Sequence, residues 1–131
     1  DIMKSNRRWI VDIPEVPWRR CRMAGKIIGC TVYFGCAILF YCIGIYAQKC
    51  KKPMWFWSGS EVDPKTITDI GQYNCENARM WKLYSLWYFA AGVAAIWDAI
   101  VAVVFLALGC TVGMVILVAT YNKIHEKYKV K

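Results

Sequence analysis

Histidine and acidic residues are scarce in this sequence, whereas basic residues are not. His125 is the only histidine, and 17 lysines and arginines against nine acids leave a formal net charge of +8. Acid–base and nucleophilic catalysis need a base held beside an acid or a nucleophile. Glu126 adjoins His125 in sequence, but neighbouring residues do not face each other on a helix. The sequence has no glycine-rich phosphate loop, G-x-S-x-G elbow or zinc-protease motif, so we predict no enzyme activity.

The seven cysteines form no recognisable framework, because their number is odd and no C-x-x-C pair occurs. Four of them lie within apolar runs: Cys30, Cys36, Cys42 and Cys110. Most are expected to be small apolar fillers of helices. A zinc site of Cys50, Cys75 and His125 is conceivable, but no ligand spacing supports it. We expect neither a metal nor a cofactor.

Charge is missing from two long stretches of the chain. Residues 27–48 are 22 residues without a charge, and residues 83–121 contain only Asp98. The chain is 58% hydrophobic, above the roughly 45–50% of ordinary soluble domains. A 22-residue helix is about 33 Å long, enough for a hydrocarbon core of about 30 Å. The sequence therefore excludes a disordered chain or a collagen-like fibre and predicts an integral membrane protein with a first span at 27–48.

The second apolar stretch, residues 83–121, is too long for one span. A single helix of 39 residues would be about 58 Å long. A carboxylate at the bilayer centre costs about 2.5–3.5 kcal/mol, so we expect Asp98 in an interfacial turn between a second span at 80–97 and a third at 100–121. The alternatives are a single projecting helix and, for Asp98, an intramembrane proton- or ion-coupled site.

The polar connection at 49–79 is predicted to be partly helical, from about residue 66, and to continue into the second span. Asp63 and Pro64 are typical of an N-cap and a first helical residue. Asp69, Tyr73 and Asn77 recur at four-residue steps, so they would share one helical face, which we interpret as a possible recognition face. Four tryptophans are expected as interfacial anchors: Trp55, Trp57, Trp81 and Trp97.

Basic residues flank the apolar stretches, in an N-terminal segment at 1–26 and a tail at 122–131. Beside a span they are expected to meet lipid phosphates rather than nucleic acid. With three spans, the connection and the tail share one side, which holds ten bases when Lys82 at the start of the second span is counted, against seven in the N-terminal segment. This bias predicts a multi-pass plasma membrane protein whose connection and tail are cytoplasmic and whose N-terminus is outside.

Two pairs of glycines have the spacing that lets membrane helices approach closely. Gly25 and Gly29 form one G-x-x-x-G at the start of the first span, and Gly109 and Gly113 form another in the third. We expect these glycines to pack helices. The partner of the second pair would be the first span of the same chain, another copy of the protein or another membrane protein.

Several short runs recur in a known group of proteins. They are Gly44-Ile45-Tyr46, Lys51-Lys52-Pro53-Met54-Trp55-Phe56-Trp57-Ser58-Gly59, Ile67-Thr68-Asp69-Ile70, Tyr73-Asn74, Glu76-Asn77, Met80-Trp81-Lys82-Leu83-Tyr84-Ser85 and Tyr121-Asn122-Lys123-Ile124. Over residues 27–128 the chain resembles small uncharacterised membrane proteins of Gram-positive, Firmicutes-type bacteria. More weakly, its order of span, polar loop, Trp- and Asn-bearing helix and paired spans is similar to the toxin-immunity membrane family that includes the sporulation-delaying-protein immunity protein.

The sequence thus predicts an all-α integral membrane protein with about three transmembrane helices and a partly helical polar connection. Our first functional hypothesis is a non-enzymatic protein that acts through helix–helix association, and the weaker resemblance implies a role in immunity or envelope stress. Its partners would be membrane lipids and a second copy or another membrane protein. The alternatives are a small transporter or channel subunit and an accessory subunit of a larger membrane complex.

Overall fold

The computed structural model describes residues 17–56 and 61–131, and the secondary structure of these residues is helical apart from one two-residue β-bridge. Four α-helices follow in order: α1 (Pro17–Lys49), α2 (Ile70–Trp97), α3 (Ala99–Leu108) and α4 (Met114–Tyr128). A 3₁₀ turn (Pro64–Thr66) precedes α2, and a π-helical segment (Gly109–Gly113) joins α3 to α4. The all-helical fold class predicted from the sequence is confirmed for these residues.

Helix α1 begins earlier than the predicted first span. Pro17 is its first residue, where the fixed φ of proline suits a helix and its missing N–H costs nothing. The helix then continues for 33 residues, about 50 Å, to Lys49. Residues 17–26, predicted as part of a basic interfacial segment, are therefore a helical extension of the apolar 27–48. The remainder of that segment, 1–16, lies outside the described residues.

Helix α2 starts at Ile70, four residues later than we predicted. Asp63 instead caps the 3₁₀ turn, where its carboxylate accepts a hydrogen bond from Lys65 N at 2.9 Å. The backbone is extended at Ile67, which pairs with Lys129 in the β-bridge. Asp69 then caps α2 by accepting a hydrogen bond from Gln72 N at 3.0 Å.

The chain reverses direction at Asp98. Its backbone is extended (φ −141°, ψ 122°), so α2 ends at Trp97 and α3 begins at Ala99. One Asp98 carboxylate oxygen accepts a hydrogen bond from Ile100 N at 2.7 Å. Helix α3 then packs back along α2, with the rings of Trp87 and Phe105 5.0 Å apart. The alternative of one long helix through residues 83–121 does not occur.

The centre of the bundle is aromatic. Phe40 of α1 packs against the rings of Tyr84 and Tyr88 of α2 with centroid distances of 5.0 and 5.1 Å. Tyr33 connects α1 to α3, because its hydroxyl donates to the carbonyl oxygen of Ala102 at 3.0 Å. The three long helical stretches therefore form one antiparallel bundle around α2.

Two helical stretches within the described residues are long and apolar enough to cross a membrane: Pro17–Lys49 and Ala99–Tyr128. Helix α2 is not one of them, and its N-terminal half contains Glu76, Arg79 and Lys82. Our predicted first and third spans, 27–48 and 100–121, fall inside the two apolar stretches.

Candidate functional site

A cluster of buried polar side chains lies where the connection folds over the N-terminal half of α2. Asn74, which is buried, donates through Nδ2 to the carbonyl oxygens of Cys50 (2.9 Å) and Lys52 (2.8 Å). Its Oδ1 accepts a hydrogen bond from Met54 N at 2.8 Å. One side chain therefore holds the segment after α1 against α2, a role that nothing in the sequence pattern predicts.

Tyr73 continues this cluster towards α4. Its hydroxyl donates to the carbonyl oxygen of Met54 at 2.9 Å and lies 3.1 Å from the hydroxyl of Tyr121. Burial, more than these hydrogen bonds, raises the pKa of Tyr73 well above its usual range. The His125 ring lies 6.3 Å from both the Tyr73 and the Tyr121 rings. His125, although it belongs to the basic tail, is half-buried in this aromatic cluster.

Two atoms of the cluster, Asn77 Oδ1 and His125 Nδ1, are buried without a hydrogen-bond partner among residues 17–56 and 61–131. Nδ2 of Asn77 donates to its own helix, at Tyr73 O. The exposed fractions of Tyr73 and Asn77 are both 0%, whereas Asp69 is an exposed helix cap. Two of the three residues of the possible recognition face that we predicted are therefore covered, and only Asp69 is exposed. Four-residue spacing indicates a shared face but not what covers it.

An ion pair ties α4 to α2 next to this cluster. The Glu76 carboxylate accepts hydrogen bonds from Lys127 Nζ at 2.5 Å and from the Tyr128 hydroxyl at 2.7 Å. These bonds, with that of Lys127 first, hold the pKa of Glu76 below its ordinary value. The pair is partly exposed to solvent, so its contribution to stability is that of a screened surface ion pair.

Gly109 and Gly113 face α2, not α1. A Cβ atom on Gly109 would lie 2.8 Å from Trp87 Nε1, and one on Gly113 would lie 3.1 Å from Cε2 of Tyr84. The Tyr84 hydroxyl also donates to Gly109 O at 2.9 Å. The second glycine pair thus makes room for the aromatic side chains of α2, and the first span is not its partner.

Glycines of α1 fall into two groups. A Cβ atom on Gly44 would lie 3.0 Å from the carbonyl oxygen of Ala78, so this glycine allows the backbones of α1 and α2 to approach. Gly25 and Gly35 have nothing within 4 Å of such an atom, and Gly29 has only Tyr33 of its own helix, at 3.9 Å. The predicted pair Gly25 and Gly29 therefore makes no close contact with another described helix.

Asp98 is exposed at the turn between α2 and α3. It has the surroundings of a capping residue and not of a carboxylate enclosed by helices. Trp97 beside it has an exposed fraction of 74%. At the opposite end Trp55 is exposed, whereas Trp81 is half-buried and its ring is stacked between those of Phe40 and Phe56, each 5.8 Å away. The predicted anchor Trp57 lies outside the described residues.

The described residues contain no group of three or more His, Cys, Asp or Glu side chains that could hold a metal ion. All seven cysteines are free thiols, including Cys50 and Cys75. Comparison with family models, with curated proteins and with solved structures finds no match to this chain. The two family resemblances therefore stay predictions, and function has to be argued from the geometry.

Proposed function

We propose that this chain is a non-enzymatic integral membrane protein that crosses the plasma membrane three times and acts by associating with other membrane helices. The spans are the apolar part of α1, the C-terminal part of α2 and the α3–α4 stretch. The observation that supports this proposal is a belt of large, exposed apolar side chains. It includes Ile28, Val32, Leu39, Leu83, Leu86, Phe89, Ile100, Val103, Val104, Val115 and Ile116. In water such a surface would be far larger than soluble monomers expose.

The second span rests on how α2 packs along α1. At one end Lys26 Nζ donates to Ile96 O at 3.2 Å, and at the other Lys82 Nζ donates to Gln48 Oε1 at 2.8 Å. Lysine side chains with apolar stems and polar ends are typical of membrane boundaries. When the apolar part of α1 lies in the bilayer, residues 82–96 of α2 lie beside it at the same depth.

Association is supported by the outward face of α1. Val32, Gly35, Leu39 and Cys42 follow each other at three- and four-residue steps, and all are exposed. A glycine inside a helix costs about 1 kcal/mol relative to alanine. The packing of residues 17–56 and 61–131 gives no reason for Gly35, since a Cβ atom there would have none of their atoms within 4 Å. A second helix that packs closely on this face would explain the glycine at residue 35.

The proposed orientation follows from the charges at the two ends. The connection and tail, with Lys82 at the start of the second span, hold ten bases, and the N-terminal segment holds seven. We place the former in the cytoplasm and Asp98, with the N-terminus, on the outer side. An immunity or envelope-stress role would use the membrane-embedded faces for contact with its target.

The proposal is tested by substitution of Gly35 in the full-length chain. Wild type is expected to form a complex, with itself in nanodiscs or with another membrane protein in native membranes. Gly35→Leu should abolish that complex because the bulky side chain separates the helices. The control is Ala90→Leu, which enlarges a small exposed residue of α2 away from this face.

Native mass spectrometry and crosslinking through Cys42 measure the outcome, and copurification separates the two kinds of partner. Wild type that is monomeric in nanodiscs and uncomplexed in native membranes would overturn the association. Equal complex formation by Gly35→Leu and Ala90→Leu would show that the outward face of α1 is not the surface of association.

A further inference from the structure

A groove between α2 and α4 is the feature of this molecule best suited to a specific ligand. Its apolar part has a volume of about 390 Å³. Its buried floor consists of Met80, Tyr84 and Leu117. Its exposed rim consists of Leu83, Val112 and Ile116.

The polar atoms in the apolar part of the groove already have hydrogen-bond partners. The Tyr84 hydroxyl donates to Gly109 O at 2.9 Å, and Trp87 Nε1 donates to Phe105 O at 3.0 Å. The Thr120 hydroxyl donates to Ile116 O of its own helix at 2.7 Å. The groove therefore presents hydrocarbon to its occupant, and a hydrocarbon chain is what it can bind.

The groove adjoins a basic cavity at the end of the bundle. The two parts share Met80, Leu83 and Thr120, and the second part has a volume of about 660 Å³. The charged residues that line it are Glu76, Arg79, Lys123 and Lys127.

Two of these basic side chains have no ion-pair partner. The Glu76 carboxylate is engaged by Lys127 and by the Tyr128 hydroxyl. Within residues 17–56 and 61–131, neither Arg79 nor Lys123 has an acidic side chain within 4.0 Å. Arg79 also lowers the pKa of Glu76 at longer range, so this carboxylate offsets part of the charge. Three bases against one acid still leave the mouth of the groove net positive, which is complementary to an anion.

The length of the groove matches one leaflet of a bilayer. Arg79 to Trp87 spans eight residues of α2, about 12 Å, and Lys123 to Val112 spans eleven residues, about 16 Å. Half of a hydrocarbon core of about 30 Å is about 15 Å. A molecule with its charged end between Arg79 and Lys123 would thus reach the middle of the membrane.

We propose that this groove is a binding site for one anionic phospholipid, with an acyl chain along Leu83 and Ile116 and the phosphate between Arg79 and Lys123. Basic pockets between membrane helices are known to select anionic headgroups. The proposal rests on the proposed function, because it requires α2 and α4 to lie in the bilayer.

A second groove, between α1 and α2, serves as an internal comparison. It is lined by Ile38, Leu86 and Phe89 and has Lys82 as its one basic residue. The Lys82 ammonium group already donates to Gln48 Oε1 at 2.8 Å. This groove therefore offers hydrocarbon beside a single ammonium group that is held by a neutral amide, and it should distinguish anionic from zwitterionic lipids less than the groove between α2 and α4.

The test is a competition between two lipids for the full-length protein. The protein is equilibrated in mixed micelles with phosphatidylglycerol and phosphatidylcholine of identical acyl chains, and retained lipid is measured by native mass spectrometry. One phosphatidylglycerol per chain should be retained preferentially. Each interfacial base contributes about fivefold, so Arg79→Gln with Lys123→Gln should reduce the preference about 30-fold. The control, Lys51→Gln with Lys52→Gln, removes the same charge from exposed residues of the connection. This variant should retain the preference for phosphatidylglycerol.

Substitution in the apolar part provides an independent variant. Leu83→Trp should fill the groove and reduce retention of the bound lipid at least tenfold, whereas Leu86→Trp, on the same helix but in the other groove, should not. Helix content by circular dichroism checks that each variant is folded. Inorganic phosphate in millimolar excess should not displace the lipid, since the acyl chain holds it.

Two results would overturn the lipid site. One is an equal preference for phosphatidylglycerol in the Arg79/Lys123 and Lys51/Lys52 double variants. The other is complete displacement by inorganic phosphate, which would indicate an anion site without a lipid. Alkaline extraction of native membranes separates this outcome from failure of the proposed function. A chain released by alkali would refute the membrane-spanning arrangement itself, whereas a retained chain without lipid preference refutes only the groove.

Discussion

Replacement of Gly44 by alanine should weaken the packing of α1 against α2. A Cβ atom at residue 44 would lie 2.8 Å from Cγ of Lys82 and 3.0 Å from the carbonyl oxygen of Ala78. Because Cγ lies close to the lysine backbone, the lysine cannot relieve this contact by moving only the far end of its side chain. The Ala78 carbonyl belongs to the backbone of α2, so the two helices have to separate. Overpacking of a tight interface costs about 1–3 kcal/mol.

Gly35→Ala is the matched control, on the same helix. Among the described residues nothing lies within 4 Å of a Cβ atom at residue 35, so this change adds no overpacking against them. Both substitutions gain about 1 kcal/mol of helix propensity, and this gain cancels in the comparison. Gly44→Ala should therefore be less stable than Gly35→Ala by about 1–3 kcal/mol.

The free energy of unfolding is measured by titration with a denaturing detergent and followed by circular dichroism. Dilute micelles keep the chain monomeric, so that the outward face of α1 does not contribute. Equal stabilities of the two variants would refute the close approach of α1 and α2 at Gly44. A Gly44→Ala variant that is more stable than Gly35→Ala would refute this close approach more strongly.

Three further predictions concern the polar groups that hold the ends of the bundle, and each is measured by unfolding in micelles. Asn74→Ala should cost about 2–4 kcal/mol, because it leaves two carbonyl oxygens and one N–H of the connection without their partners; an unchanged stability would contradict this role. Asp98→Ala should cost about 0.5–2 kcal/mol through loss of a helix cap, whereas Asp98→Asn should cost little because asparagine caps equally well; equal losses would argue against capping. Because its partners lower the pKa of Glu76, this residue stabilises the fold above the ordinary glutamate value of 4.5 and loses that contribution as the pH falls below it. Solvent screening limits the effect to about 1 kcal/mol or less, and Glu76→Gln should remove this part of the pH dependence; a wild-type pH profile in that variant would contradict the assignment.

The sequence predicted the positions of helices where these follow from the length of an apolar run or from the cost of a charge within it. The cost of a carboxylate in an apolar run places a turn at Asp98, although no glycine or proline marks it. The structure has that turn, and the Asp98 side chain caps the next helix. The sequence did not predict that α1 begins at Pro17. The length of an apolar run indicates a membrane span, but not how far the helix that contains it extends beyond the run. Polar residues from Pro17 onwards belong to the same helix as the apolar run that follows them.

The candidate site was less predictable because it depends on which segments fold against each other. The four-residue spacing of Tyr73 and Asn77 indicated one face of α2, but not that the connection and α4 cover it. Asn74 has no signal in the sequence beyond its type, and its role appears only when the backbone of Cys50 and Lys52 lies beside it. The partner of Gly109 likewise follows from the reversal at Asp98, which brings Trp87 against it.

The measurement that tests the central claim most directly is the side of the membrane on which Cys21, Cys75 and residue 98 lie. Cys21 and Cys75 are exposed, as is Asp98, so single-cysteine variants, including Asp98→Cys, can be labelled with a membrane-impermeant maleimide in intact cells. Three spans predict labelling of Cys21 and of residue 98 from outside, and of Cys75 only after permeabilisation. Labelling of Cys75 and residue 98 from the same side would contradict the account, because α2 would then not cross the membrane.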